Sequence, residues 1–149
     1  MSEIILFKST SLRRTLTASI LLIFLLLPSG LSSKELIVIN SKYLKCNDSL
    51  LVFTPESYND ARKGKTPVLF LLHGWSGNYR NWSEKTDLQA VSNKYGFIIV
   101  TPDGFYSSWY LNNVDSTGMQ WRTFFDRELY PLIAEKFNAA PEMTFITGL

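Results

Sequence analysis

Short apolar runs alternate with longer amphipathic stretches along most of this chain. "ELIVIN" (35–40) and "SLLVFTP" (49–55) predict two strands joined by a polar link, and "YNDARKGKTP" (58–67) reads as a charged surface loop. "VLFLL" (68–72) and "FIIV" (97–100) are apolar without alternation, which predicts strands covered on both faces of a parallel sheet. Between them, "TDLQAVSNKYG" has a helical pattern. Thr86 and Gln89 have capping-box spacing, Leu88, Val91 and Tyr95 share one face, and Gly96 suits a left-handed C-terminal cap. A long loop rich in Gly, Ser, Asn and aromatics follows, from Thr101 to about Gln120. A second helix is expected from Thr123, with Phe125, Leu129, Leu132, Ile133 and Phe137 on one stripe. Pro131 lacks the N–H of a helix interior and should kink that helix or start a new segment. "MTFIT" (143–147) is the last predicted strand. From residue 68 the order is strand, helix, strand, helix, strand, which calls for an α/β fold with a mostly parallel sheet, right-handed crossovers and flanking helices.

The first 32 residues stand apart from this pattern. Lys8, Arg13 and Arg14 precede an uncharged apolar run from Leu16 to Leu27, which Pro28 breaks, and small residues follow. This is the layout of a secretory signal with Gly30 and Ser32 at the −3 and −1 positions. A membrane-spanning anchor is the alternative, but it needs about 20 apolar residues and the run is shorter. The expected organisation is therefore a signal over 1–32 and one domain over 33–149, secreted or periplasmic, with no stable membrane insertion after cleavage. The whole chain carries 15 basic and 13 acidic residues; without the signal the two are equal in number. A neutral domain has no electrostatic footprint for nucleic acid. Cys46 is the only cysteine and His73 the only histidine, too few for a clustered zinc site. "NDS" (47–49) and "NWS" (81–83) match the glycosylation sequon, a pattern that chance also produces often.

In open α/β sheets ligands bind at the carboxyl ends of the strands. Three stretches fall there: "HGWSGNYRNW" (73–82), "TPDGFYSSWYLNN" (101–113) and the terminal "GL". "LFLLHGWSGN", directly after a central strand and ahead of a helix, resembles the oxyanion loop of α/β-hydrolases. The closer resemblance is to the esterase branch that includes S-formylglutathione hydrolases, feruloyl and acetyl-xylan esterases and mycolyltransferases. "VTPDG", "SSWY", "ELYPLIAEKF" and "FITGL" continue it over residues from about 49 to 149.

That resemblance implies the amino-terminal half of a serine esterase, acting on carboxylic esters through an acyl-enzyme with no metal or cofactor. Gly148 and Leu149 match the first two positions of the G-x-S-x-G nucleophile elbow, so the expected chain ends one residue before its serine and is inactive as it stands. In the family's chain order Ser, Asp or Glu, His, the triad lies beyond Leu149. His73 and Gly74 are then oxyanion-loop residues, and His73 is not the base. Asp103 and Asp115 precede the nucleophile and are not expected as the triad acid; Asp103 should stabilise its own turn. Ser107 and Ser108 have no base to activate them. Trp75 matches the residue whose backbone N–H donates to the oxyanion, and its indole is expected to line a pocket. Trp109 and Tyr110 are candidates for contact with a small-molecule or carbohydrate ester, or alternatively pack the loop on the sheet end. The other functional class is an exported, non-catalytic, carbohydrate-binding relative of the hydrolases.

If the signal reading holds, amino-terminal sequencing of exported protein is expected to begin at Ser33; recovery only as an uncleaved membrane-bound chain would support the anchor instead.

Overall fold

The computed structural model describes residues 33–58 and 66–149. The signal expected over 1–32 and most of the charged loop lie outside the described residues. Among the described residues five strands form one sheet: β1 (Ser33–Ser41), β2 (Cys46–Thr54), β3 (Thr66–Leu72), β4 (Ile98–Pro102) and β5 (Ala139–Gly148). Their order is β1-β2-β4-β3-β5. β1, β2 and β4 pair antiparallel in succession, while β3 is parallel to both β4 and β5. The sheet is thus mixed, with the expected parallel portion confined to β3, β4 and β5.

Two layers of apolar side chains explain the runs without alternation. Leu50, Val52, Val68, Phe70, Ile98 and Val100 point to one face, and Leu51, Phe53, Leu71 and Ile99 to the other. The central strands β2, β3 and β4 therefore carry apolar residues in succession, because there neither face meets water. Helices α1 (Asn81–Lys85) and α2 (Leu88–Tyr95) belong to the second layer, through Trp82, Leu88 and Val91. Asp87, not Thr86, caps α2, its carboxylate accepting from the Ala90 amide at 3.0 Å. Gln89 reaches instead to the Thr54 carbonyl oxygen at 2.8 Å, tying the helix to β2. Tyr95 is exposed and Ser92 takes the buried place, its hydroxyl donating to the Phe97 carbonyl oxygen at 2.8 Å. Gly96 closes the helix at φ 71°, the left-handed cap its position called for.

The other layer is covered by a broken helix. α3 (Trp121–Phe124) starts two residues before Thr123, passes through one π-helical turn (Phe125–Leu129), and continues as α4 (Tyr130–Lys136). The Tyr130 amide donates to the Phe125 carbonyl oxygen, one residue further back than in an α-helix. Pro131, with no N–H to give, falls in the first turn of the new segment, where none is needed. Of the expected stripe, Phe125, Leu129, Ile133 and Phe137 bury against Phe70 and its neighbours, joined by Phe124, while Leu132 is only partly buried.

Prolines also set the β3–β5 register. Thr66 pairs with Ala139 but Val68 with Thr144, so the ladder skips where Pro67 and Pro141 stand, neither of which can donate to it. β5 is longer than the "MTFIT" run for this reason: the ladder resumes beyond the bulge. It forms an edge of the described sheet, with Phe145 and Ile146 about half exposed. Among the described residues no helix is long and apolar enough to cross a membrane.

Phe70 is fully buried, with the Tyr130 and Phe125 rings at 4.9 and 6.3 Å between centroids. Phe70→Ala is expected to lower the unfolding free energy by about 3–5 kcal/mol, read from urea denaturation against the parent chain.

Candidate active site

β3 ends at Leu72, and the backbone then turns through His73-Gly74-Trp75 toward α1. The His73 ring holds this turn. Nε2 lies 2.8 Å from the Gly104 amide, which donates to it, so the proton resides on Nδ1, 2.7 Å from the Gly74 carbonyl oxygen. One nitrogen therefore reaches the loop after β4 and the other its own loop. Both are engaged, and neither is free to take a proton from a nucleophile. The His73 amide in turn donates to the Tyr110 hydroxyl at 3.2 Å.

The loop after β4 is braced similarly. Asp103 Oδ1 accepts from the amides of Gly104 and Phe105, each at 2.8 Å, the turn-stabilising role its position implied, and stands 3.6 Å from His73 Nε2. The two loops also meet directly, the Ser76 amide donating to the Tyr106 carbonyl oxygen at 3.0 Å. Ser76, Phe105, Trp109 and Tyr110 all have φ between 53° and 57°. Such left-handed conformations in bulky residues cost about 1–3 kcal/mol each and persist only when surroundings enforce them. Here they reverse the chain between Trp109 and Tyr110, sending the two aromatic side chains to different places. Tyr110 packs edge-on against His73, Trp121 and Phe125. Trp109 is 71% exposed and meets Trp75, itself 69% exposed, at 6.4 Å between ring centroids; Tyr106 adds a third ring at 6.1 Å from Trp75.

β5 brings Gly148 and Leu149 to the same place, since Gly148 pairs with Leu72. A side chain at Gly148 would meet the Leu72 carbonyl oxygen at 3.0 Å and its Cβ at 2.9 Å, so only glycine permits the approach. Leu149 then lies beside Gly74, whose absent Cβ would sit 3.6 Å from that of Leu149. A cleft of about 160 Å³ forms where His73, Trp75, Ser108, Trp109 and Leu149 converge. The Trp75 backbone N–H has no hydrogen-bond partner among the described residues.

All the residues expected at the site, His73, Gly74, Trp75, Trp109, Tyr110, Gly148 and Leu149, thus come together at one end of the sheet. Ser107 and Ser108 line the cleft, where Ser108 Oγ accepts from the Tyr110 amide at 3.1 Å. Asp115 is elsewhere, closing an exposed turn with Thr117 that holds its carboxyl below the usual range. Cys46 is half-buried against the core; burial, then the Asp48 charge, push its thiol up, away from the reactive thiolate. No group of three His, Cys, Asp or Glu side chains among the described residues is placed to hold a metal ion.

One buried acid had no signal in the sequence. Asp48 sits on β2, where alternation alone would place a polar residue at a strand start, yet it is fully buried. Among the described residues neither carboxylate oxygen has a hydrogen-bond partner of good geometry; only the neighbouring Ser49 amide leans toward it. Burial, and secondly the Asp103 charge, push its carboxyl from 3.8 up to about 8, partly offset by Ser49.

The sheet order, the crossover helices and the loop at the end of β3 are those of an α/β-hydrolase. A solved ferulic acid esterase superposes with a TM-score of 0.68 and 27% identity, over 78% of this chain and 48% of that one. The chain belongs to an esterase family: the family model described as "Putative esterase" matches residues 41–149. It is 26% identical to S-formylglutathione hydrolase of Bos taurus, over 73% of this chain and 45% of the bovine one. It is 28% identical to an acetyl esterase of Caldicellulosiruptor saccharolyticus, over 73% and 43%. The chain spans about half the length of the curated relatives it matches.

The Asp48 environment makes stability depend on pH. Its native carboxyl keeps a proton up to about 8, whereas the unfolded chain releases it near 3.8. The unfolded state binds fewer protons in that window, so stability falls as pH rises through it. Asp48→Asn is expected to melt progressively higher than the parent as pH is raised from 5 to 8; parallel pH profiles of the two melting temperatures would refute a protonated Asp48.

Proposed function

We propose that residues 33–149 form the oxyanion-side half of an exported carboxylic ester hydrolase that works through an acyl-enzyme. The carrying observation is the unpartnered Trp75 backbone N–H at the carboxyl end of β3, beside Gly148 and Leu149. A backbone N–H fixed by a braced loop costs no reorganisation when charge develops on the ester oxygen. In this reading the nucleophilic serine occupies the position following Gly148-Leu149 in the full-length protein. Its neighbour's N–H then supplies the second oxyanion donor. His73 and Asp103 act as positioning residues, clamping the two loops so that the Trp75 N–H keeps its direction.

The substrate reading follows from the cleft's surface. Trp75, Tyr106 and Trp109 present three exposed rings, and Ser107 and Ser108 add hydroxyls. Flat apolar faces beside small hydroxyl donors suit the stacked ring of a carbohydrate ester, and the acetyl esterase and ferulic acid esterase relatives are consistent with ester hydrolysis of that breadth. Export rests on the amino-terminal pattern alone.

The test compares two substitutions at one residue, in the full-length esterase carrying the elbow serine. Trp75→Ala keeps the N–H and is expected to change mainly KM. Trp75→Pro removes the donor and is expected to lower kcat by about 10²–10³. Circular dichroism and melting establish that both variants are folded. A folded Trp75→Pro enzyme with near-normal kcat would show that the HGW loop is structural only, and absence of any serine-dependent hydrolysis in the parent would leave a binding protein.

A further inference from the structure

Trp75 divides the site in two, and the side away from Trp109 has a different chemistry. There a second cleft of about 300 Å³ is walled by Trp75, Trp82, Asn81, Lys85 and Thr86 and reaches Leu149. The Trp82 indole is a fixed wall, since its Nε1–H donates to the Leu72 carbonyl oxygen at 3.0 Å. Asn81 Oδ1 is taken by the Asn78 amide at 2.6 Å, which leaves the side-chain NH2 without an acceptor among the described residues. Lys85 lies four residues further along α1, on the same side of the helix as Asn81. Its ammonium makes no ion pair or hydrogen bond among the described residues.

Among the described residues Lys85 is the only charged side chain lining this cleft. Its acidic neighbours Glu84 and Asp87 line an adjoining depression beside Phe53, which Lys85 also borders, and neither pairs with it. The aromatic cleft on the other side of Trp75 carries no Lys, Arg, Asp or Glu. Two sets of donors without acceptors, against two indole walls, match a group that is rich in acceptors. We infer that the α1-side cleft binds a carboxylate, held by Lys85 Nζ and Asn81 Nδ2. A single cation balances a monoanion, whereas a phosphate dianion would call for a second. The pair would form at an exposed surface, where a charge-assisted hydrogen bond adds a modest, salt-sensitive preference. The ester would then be neutral on the Trp109 side of the oxyanion position and anionic on the Trp82 side. That placement within the substrate rests on the esterase reading; the binding of a carboxylate in the cleft does not.

The experiment is an equilibrium titration of the full chain with two probes of equal size, 4-hydroxybenzoate and its neutral counterpart 4-hydroxybenzamide. The indole N–H resonances of the four tryptophans report the position of binding. The acid is expected to bind roughly fivefold to tenfold more tightly than the amide. It should shift Trp82 and Trp75 rather than Trp109 and lose its advantage as salt is raised. Lys85→Met is expected to remove the acid's advantage over the amide, and Lys85→Arg to keep it. Equal affinities in the parent, no binding of either probe at millimolar concentration, or a preference surviving Lys85→Met would each overturn the inference. Because the readout is binding, failure of the esterase reading appears separately, as absent serine-dependent hydrolysis.

Discussion

The His73 imidazole joins the ends of two parallel strands, and the geometry of the site depends on that junction. With Nε2 accepting from Gly104 and Nδ1 donating to Gly74, one rigid ring spans the gap between the loops after β3 and β4. The neutral imidazole offers one donor and one acceptor in a single rigid ring, so it serves both loops at once. The Asp103 carboxylate shares the same Gly104 N–H as a second acceptor, which keeps that amide directed at His73. The Trp75 N–H, two residues from His73, inherits its direction from this arrangement.

The junction stands on a polar layer that the apolar sheet would otherwise exclude. Tyr110 and Asp48 are drawn beneath it, the first with its hydroxyl on the His73 amide and the second with its carboxyl buried. Burial favours the uncharged forms of both, raising both from their ordinary values. A neutral Asp48 spares the layer a second negative charge next to Asp103. Left-handed backbone at Phe105, Trp109 and Tyr110 is the accompanying cost, and the aromatic contacts of Tyr110 with His73, Trp121 and Phe125 help to hold it in place.

Above that layer, Trp75 contributes in two independent ways. Its backbone carries the free N–H, and its side chain forms the partition between an uncharged aromatic cleft and one bordered by Lys85. Substitutions that keep the backbone therefore separate the two contributions.

Periodicity in the sequence determined the α/β architecture, the strands β2, β3 and β4 to within a few residues, the Gly96 cap and the break at Pro131, because each is decided by local sterics or by an apolar pattern read over a few turns. The "HGW" and "TGL" stretches likewise announced their place at strand ends, since glycine there serves close backbone approach, as Gly148 does against Leu72. Strand order was not available locally. That β2 runs antiparallel to β4, and that β3 lies between β4 and β5, follows from which apolar faces can be covered together. Gln89 was drawn to the Thr54 carbonyl oxygen on β2, a partner distant in sequence, and Asp87 rather than Thr86 caps the helix through a local bond from the Ala90 amide. Burial of Asp48, the two bonds of His73 and the separation of Trp109 from Tyr110 were decided only by tertiary structure. Each depends on groups tens of residues apart being brought within hydrogen-bonding or van der Waals distance, and no local pattern encodes that proximity.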